Sequence, residues 1–184
     1  MKKLLFLVVC LYLGGVIVSA AVDKVEENIF NLSGVELKNN MPLPDSQVFN
    51  GYGCSGGNIS PELSWKNPPS NTKSYAIICH DPIAPRENGW YHWLVVNISK
   101  DVTSIKKGAK IQGALETVTD FGTAGYGGAC PPVGHGVHRY NFTIYALDCE
   151  KLNVDVNSKP KDVESEVLKH TIAKSTITGL YERK

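Results

Sequence analysis

Three short segments carry side chains that could act together on a small ligand. His80-Asp81-Pro82 offers a carboxylate, and Trp90-Tyr91-His92 offers an imidazole beside two aromatic rings. Cys130-Pro131-Pro132-Val133-Gly134-His135-Gly136-Val137-His138-Arg139-Tyr140 offers a second imidazole and a phenol. Each segment stands where a strand is expected to end or begin. Asp81, His92, His138 and Tyr140 therefore converge if those strands are neighbours, with Pro131 and Pro132 as a wall. Two imidazoles, a phenol and the backbone N–H groups of a glycine loop make a site for a small anion. A carboxylate beside an imidazole orients it and favours its charged form. The implied ligand bears a phosphate or a carboxylate, and a cationic tail could sit near Asp81 or over Trp90 and Tyr91. On this reading protonated His92 and His138 supply the positive charge. Affinity for a ligand of constant charge then falls as pH rises past about 6.5. Taken singly, each residue is equally a satisfied polar group at a strand end.

The elements that must hold these groups are mostly strands. Gly122, Gly125, Gly127, Gly128, Gly134 and Gly136 crowd the stretch around Pro131 and Pro132. So many φ-permissive and φ-fixed residues exclude a helix or a regular central strand and predict a shaped loop. Asn141 to Leu147 is apolar and β-branched and predicts a buried strand. His138, Arg139 and Tyr140 then lie at its entrance, with His138 and Tyr140 on one face and Arg139 on the other. Lys73 to Cys79 predicts a second strand. Trp90 to Ile98 predicts a third, apolar at nearly every position and so buried on both faces. Phe30 and Leu32 alternate as in a first strand, Met41-Pro-Leu-Pro44 reads as loop or edge, and Asn50 to Gly57 is a second glycine-rich loop. Asp101 to Gly113 reads as a hairpin. The one helix expected begins at Pro160, carries Val163, Val167, Leu168 and Ile172 at helical spacing, and exits at Gly179. His170 on it reads as a half-buried packing histidine. The whole is one mainly-β domain with a C-terminal helix.

The N-terminus has a different character. Met1-Lys-Lys precedes an apolar run from Leu4 to Val18 that ends in Val18-Ser-Ala20. A basic start, an apolar run of about fifteen residues and a small-residue end predict a cleaved signal peptide over 1–20 and a mature domain over 21–184. The protein is then expected to be periplasmic or secreted. Loss of Lys2 and Lys3 lowers Lys+Arg from 19 to 17 against 18 acids, a net charge of 17 − 18 = −1. No basic footprint for nucleic acid remains. Cys54, Cys79, Cys130 and Cys149 stay in the mature chain, and in an oxidising compartment they predict two disulfides. Three pairings are open, as is a buried free thiol at Cys79.

The segments resemble the phosphatidylethanolamine-binding protein family, also called Raf-kinase-inhibitor-like, in its bacterial and archaeal secreted-type branch. Asp81-Pro-Ile-Ala-Pro85 matches its DPDAP element, His92-Trp-Leu-Val-Val-Asn97 its HW strand, and Gly128 to Tyr140 its PP…HRY element. Cys54-Ser-Gly-Gly-Asn-Ile-Ser-Pro61, Leu63-Ser-Trp65 and Thr178-Gly-Leu-Tyr-Glu-Arg183 are also similar, so the likeness spans nearly all of 21–184. The resemblance implies a large central antiparallel sheet packed on a smaller sheet, with peripheral helices. It implies a solvent-accessible anion pocket holding Asp81, His92, Pro131, Pro132, His138 and Tyr140, with Trp90 at the rim. The family's second aspartate in DPDAP is Ile83 here, which takes a carboxylate from the pocket edge and makes its floor more apolar. The resemblance also implies a Cys54–Cys130 bridge, which would leave Cys79 and Cys149 as the second pair.

The function expected is a secreted or periplasmic protein that binds a small anion or phospholipid head group and regulates by binding, with no cofactor, no metal and no catalysed reaction. A protein-interaction module, protease-inhibitor-like or host-directed, is the alternative. A metal-assisted hydrolase built on Asp81, His92 and His138 ranks below both, and no H-E-x-x-H motif supports it.

Overall fold

A computed structural model describes residues 29–184. The expected signal peptide and the start of the mature domain lie outside the described residues. Among these residues, eleven strands precede or follow a single α-helix. They are β1 Asn31–Gly34, β2 Met41–Pro42, β3 Asn50–Gly51, β4 Cys54–Ser55, β5 Leu63–Lys66 and β6 Ser74–Asp81. β7 Trp90–Ser99, β8 Ser104–Ile105, β9 Leu115–Glu116 and β10 His138–Leu147 follow, then α1 Pro160–His170 and β11 Thr171–Tyr181.

The main sheet has the order β2-β11-β10-β6-β7-β9, and a smaller sheet has the order β1-β5-β8. The main sheet is antiparallel from β11 to β9. Its far edge departs from the expected all-antiparallel pattern, because β2 lies parallel to β11. Met41 and Pro42 fit there because an edge strand tolerates a residue with no N–H.

The long strands are apolar on both faces because both faces are covered. One face holds Tyr75, Ile77, Cys79, Trp93, Val95, Phe142 and Ile144, packed with Leu32, Leu63 and Trp65 of the smaller sheet. The other holds Ala76, Ile78, Leu94, Val96, Tyr145 and Leu147 against Val163 and Val167 of α1. With apolar burial worth about 25 cal/mol per Å², these two layers are the main stabilising contribution.

Two expectations fail. The helix does not reach Gly179: it ends at His170, and 171–181 form β11 along the whole of β10, from Leu147↔Thr171 to His138↔Tyr181. Thr171, Ile172, Thr176, Ile177 and Thr178 are β-branched, and pairing with a long central strand outweighs a helical spacing of four apolar residues. Leu168, counted among those four, is 48% exposed. Residues 101–113 do not form a hairpin either. Their strand, β8, pairs with the distant β5 at Leu63↔Ile105.

Candidate functional site

Three antiparallel neighbours place the site. The end of β6 lies beside the starts of β7 and β10, so Asp81, Trp90, His92, His138 and Tyr140 meet at one end of the main sheet. A bulge in β7 turns His92 the right way. Cys79 is opposite Trp93 and His80 opposite Tyr91, so His92 is the extra residue between them. Such an insertion re-aims a side chain that strict alternation would send elsewhere.

The wall comes from the glycine-rich loop before β10. Phe49 N–H donates to Ala129 O at 3.0 Å, which seats the loop on the stretch beside it. Gly128 is required there: a Cβ would lie 2.5 Å from Gln47 O and from Phe49 N. A disulfide joins Cys54 of β4 to Cys130, next to Pro131. The Arg183 guanidinium reinforces the joint, donating to Tyr52 O (3.3 Å), Gly53 O (3.1 Å) and Pro131 O (3.3 Å).

A cavity of about 290 Å³ results, lined by Asp81, Trp90, His92, Pro131, Pro132, His138 and Tyr140. All seven side chains singled out in the sequence therefore face one space. Tyr52, Ala84, Pro85, Arg86, Phe121 and Cys130 complete the lining. Sequence reasoning missed these, and Arg86 matters most. Its guanidinium carbon lies 4.5 Å from the Trp90 ring centre, and Nη1 lies 3.7 Å from Asp120 Oδ1. Its place in Pro85-Arg86, directly after the Asp81-Pro82 turn, was the available signal. Ile83, expected to make the floor apolar, is 46% exposed and is not part of the lining. Only its backbone is engaged, as its N–H donates to Asp81 Oδ1 at 3.1 Å.

The polar groups are strongly organised. Asp81, His92, His138 and Tyr140 are each at most 5% exposed. His138 Nδ1 donates to Asp81 Oδ2 at 2.6 Å. Its remaining nitrogen, Nε2, is 2.7 Å from Nδ1 of the exposed His135. Carboxylate, buried imidazole and surface imidazole thus form one hydrogen-bonded row. His92 Nδ1 donates to Gly127 O at 2.8 Å, which leaves Nε2 as its free nitrogen on the cavity. Burial pushes the His92 pKa down to about 4, against smaller upward pulls from Gly127 and Asp81. The expectation that protonated His92 supplies positive charge is therefore wrong at neutral pH. His92 is a neutral acceptor, and Arg86 is the fixed cation at the mouth. Burial, with Asp81 nearby, also pushes the Tyr140 phenol well above its usual range, so it keeps its O–H. The Tyr140 and Phe121 rings meet the His92 ring edge-on, at 5.0 and 5.5 Å. Trp90 Nε1 is buried and lacks a hydrogen-bond partner among the described residues.

The second disulfide expected, Cys79–Cys149, does not form, and both thiols are free. Cys79 faces Phe142, whereas Ser74 faces Leu147 and binds the Cys149 carbonyl through Oγ at 2.6 Å. The cysteines thus sit about five residues apart along the sheet, roughly 16 Å, where a bridge needs Cα atoms within about 7 Å. The alternative of a buried free thiol holds for Cys79.

The family model described as phosphatidylethanolamine-binding protein matches residues 33–182. The chain belongs to the phosphatidylethanolamine-binding protein family. It is 44% identical to the UPF0098 protein YbcL of Escherichia coli K12 over 162 residues, 84% of this chain and 88% of that one. It is 35% identical to a UPF0098 protein of Aquifex aeolicus over 175 residues, 93% of this chain and 99% of that one. The crystal structure of E. coli YbcL, described as a new member of the mammalian family, superposes with a TM-score of 0.83 at 43% identity, covering 84% of this chain and 99% of that one. A family homologue from Chlamydia trachomatis superposes with a TM-score of 0.74 at 33% identity, covering 85% and 99%. Among the described residues, no helix of this family member is long and apolar enough to cross a membrane.

Proposed function

We propose that this family member binds a small phosphate- or carboxylate-bearing ligand, a phospholipid head group included, and regulates through that binding without catalysing a reaction. Its place of action is the periplasm or the exterior, with residues 1–20 as the export signal. The observation that carries the reading is the half-open cavity at the end of β6, β7 and β10, where Asp81 orients His138 and Arg86 stands at the mouth.

The neutral state of His92 narrows the ligand. Its free Nε2 can only accept a hydrogen bond. A bare anionic oxygen there meets a lone pair and is repelled. A phosphate that keeps one P–O–H, or an ammonium tail, meets it favourably. The Tyr140 hydroxyl is a neutral donor that suits a remaining phosphate oxygen. Asp81 uses both carboxylate oxygens, and His138 both nitrogens, on partners within the protein. That arrangement favours a receptor for an anion over a three-ligand hydrolase.

Calorimetric titration with phosphorylethanolamine, inorganic phosphate and sulfate tests the proposal. Phosphate compounds bind, sulfate of similar size binds more weakly because it has no proton to give, and His138→Ala abolishes binding. Affinity for phosphorylethanolamine falls as pH rises past about 6, where this phosphate monoester loses its second proton. Absence of binding to folded wild-type protein, or equal binding by folded His138→Ala, refutes the proposal.

A further inference from the structure

We infer that Asp148, Cys149 and His170 form a binding site for a divalent metal ion of the zinc class, at the end of the main sheet away from the cavity. Their donor atoms, a carboxylate oxygen, Cys149 Sγ and an imidazole nitrogen, all lie within 4.8 Å of one another. His170 Nδ1 and Asp148 Oδ1 are already 2.9 Å apart. His170 is half-buried, as expected, and its side chain is also turned to this corner.

The backbone holds the three residues before any ion arrives. Asp148 N–H donates to His170 O at 3.0 Å, tying the exit of β10 to the last residue of α1. Ser74 Oγ donates to Cys149 O at 2.6 Å from the neighbouring strand. Metal–ligand distances of about 2.0–2.3 Å put tetrahedral donors about 3.5 Å apart. The longest separation therefore closes by roughly 1 Å, which side-chain rotation at this open corner supplies.

The donor types choose the metal. Thiolate and imidazole favour zinc-like ions, whereas calcium and magnesium take oxygen ligands. Three protein ligands leave a fourth position for water or a partner group. A carboxylate also stands behind the histidine. Glu166 Oε1 lies 3.8 Å from His170 Nε2, one turn back on α1. When Nδ1 binds metal, Nε2–H faces that carboxylate, the arrangement that fixes the ring and strengthens a histidine ligand. On coordination the Cys149 S–H bond breaks, the S–metal bond forms, and the proton passes to solvent.

The corner is independent of the anion cavity. Asp148 lies eight residues beyond Tyr140 on the β10 course, roughly 27 Å along the strand, so either proposal can fail without the other. The test uses cobalt(II) as a coloured substitute and zinc as competitor, after thiol titration confirms that Cys149 is reduced. Wild-type protein develops a thiolate-to-cobalt charge-transfer band that one equivalent of zinc removes. Cys149→Ser loses the band, Cys79→Ser keeps it, and His170→Gln binds at least about tenfold more weakly. Glu166→Gln, which leaves all three ligands in place, weakens binding by about tenfold. The site is refuted if the wild type gives no band, if the band survives Cys149→Ser, or if Cys79→Ser is the variant that loses it.

Discussion

Replacing His92 with glutamine should flatten the acid limb of the stability curve. His92 is buried and neutral in the folded protein, with a pKa of about 4, against an ordinary value of 6.5. Above the ordinary value neither state binds the proton, so His92 has no effect on pH dependence there. As pH falls from 6.5 towards 4, the unfolded chain takes up a proton that the folded chain refuses, and stability is lost. At about 1.4 kcal/mol per unit, the full loss is about 3 kcal/mol, and the part between pH 7 and pH 5 is about 2 kcal/mol. His92→Gln keeps an N–H that can donate to Gly127 O and does not titrate. Urea unfolding of both proteins at half-unit steps from pH 4 to pH 8 reads the effect as a difference, in which the other histidines cancel. The wild type should lose about 2 kcal/mol more than the variant between pH 7 and pH 5. Parallel profiles would mean that His92 is charged, or solvated, in the folded state. The account of the cavity as a neutral acceptor site would go with it.

Two further outcomes follow from packing and covalent structure. The Cys54–Cys130 bridge spans a sequence separation of 76, so Cys54→Ser, or reduction, should lower the unfolding free energy by about 4 kcal/mol on the loop-entropy scale; an unchanged urea midpoint would show the bridge to be dispensable. Gly179→Ala places a Cβ 2.2 Å from Leu43 Cδ2 and 3.1 Å from Leu37 Cδ1, and should cost about 1–3 kcal/mol through overpacking, measured as a lower melting temperature at unchanged secondary structure.

The parts that were legible in the sequence are those fixed by local pattern. Trp90 to Ile98 is apolar at every position but His92 and Asn97, and only a strand covered on both faces satisfies that run. The alternation of His138, Arg139 and Tyr140 follows from strand geometry, and burial agrees: His138 and Tyr140 are buried and Arg139 is exposed. What escaped was long-range. The segment from Thr171 carries both a helical spacing and β-branched residues, and only the presence of β10 beside it decides between them. The distance between Cys79 and Cys149 depends on register, which no spacing reveals. The neutral state of His92 depends on how much protein surrounds it, and its reach into the cavity on an extra residue in β7. Arg86 looked like part of an ordinary loop because its value lies in standing over Trp90, a relation that exists only after β6 and β7 pair.

The covalent ring closed by Cys54 and Cys130 divides the cavity unequally. Asp81, Trp90 and His92 lie within the ring, whereas His138 and Tyr140 lie beyond it. A chain that emerges amino end first can close the ring while β10, α1 and β11 have yet to appear. The cavity is thus made on two clocks. One half is tethered early by chemistry, and the other arrives when β10 slots between β6 and β11. Arg183, just beyond β11, then reaches back to the carbonyls on both sides of the bridge. Completion of the site is in this sense a report that β10 and β11 have both been delivered.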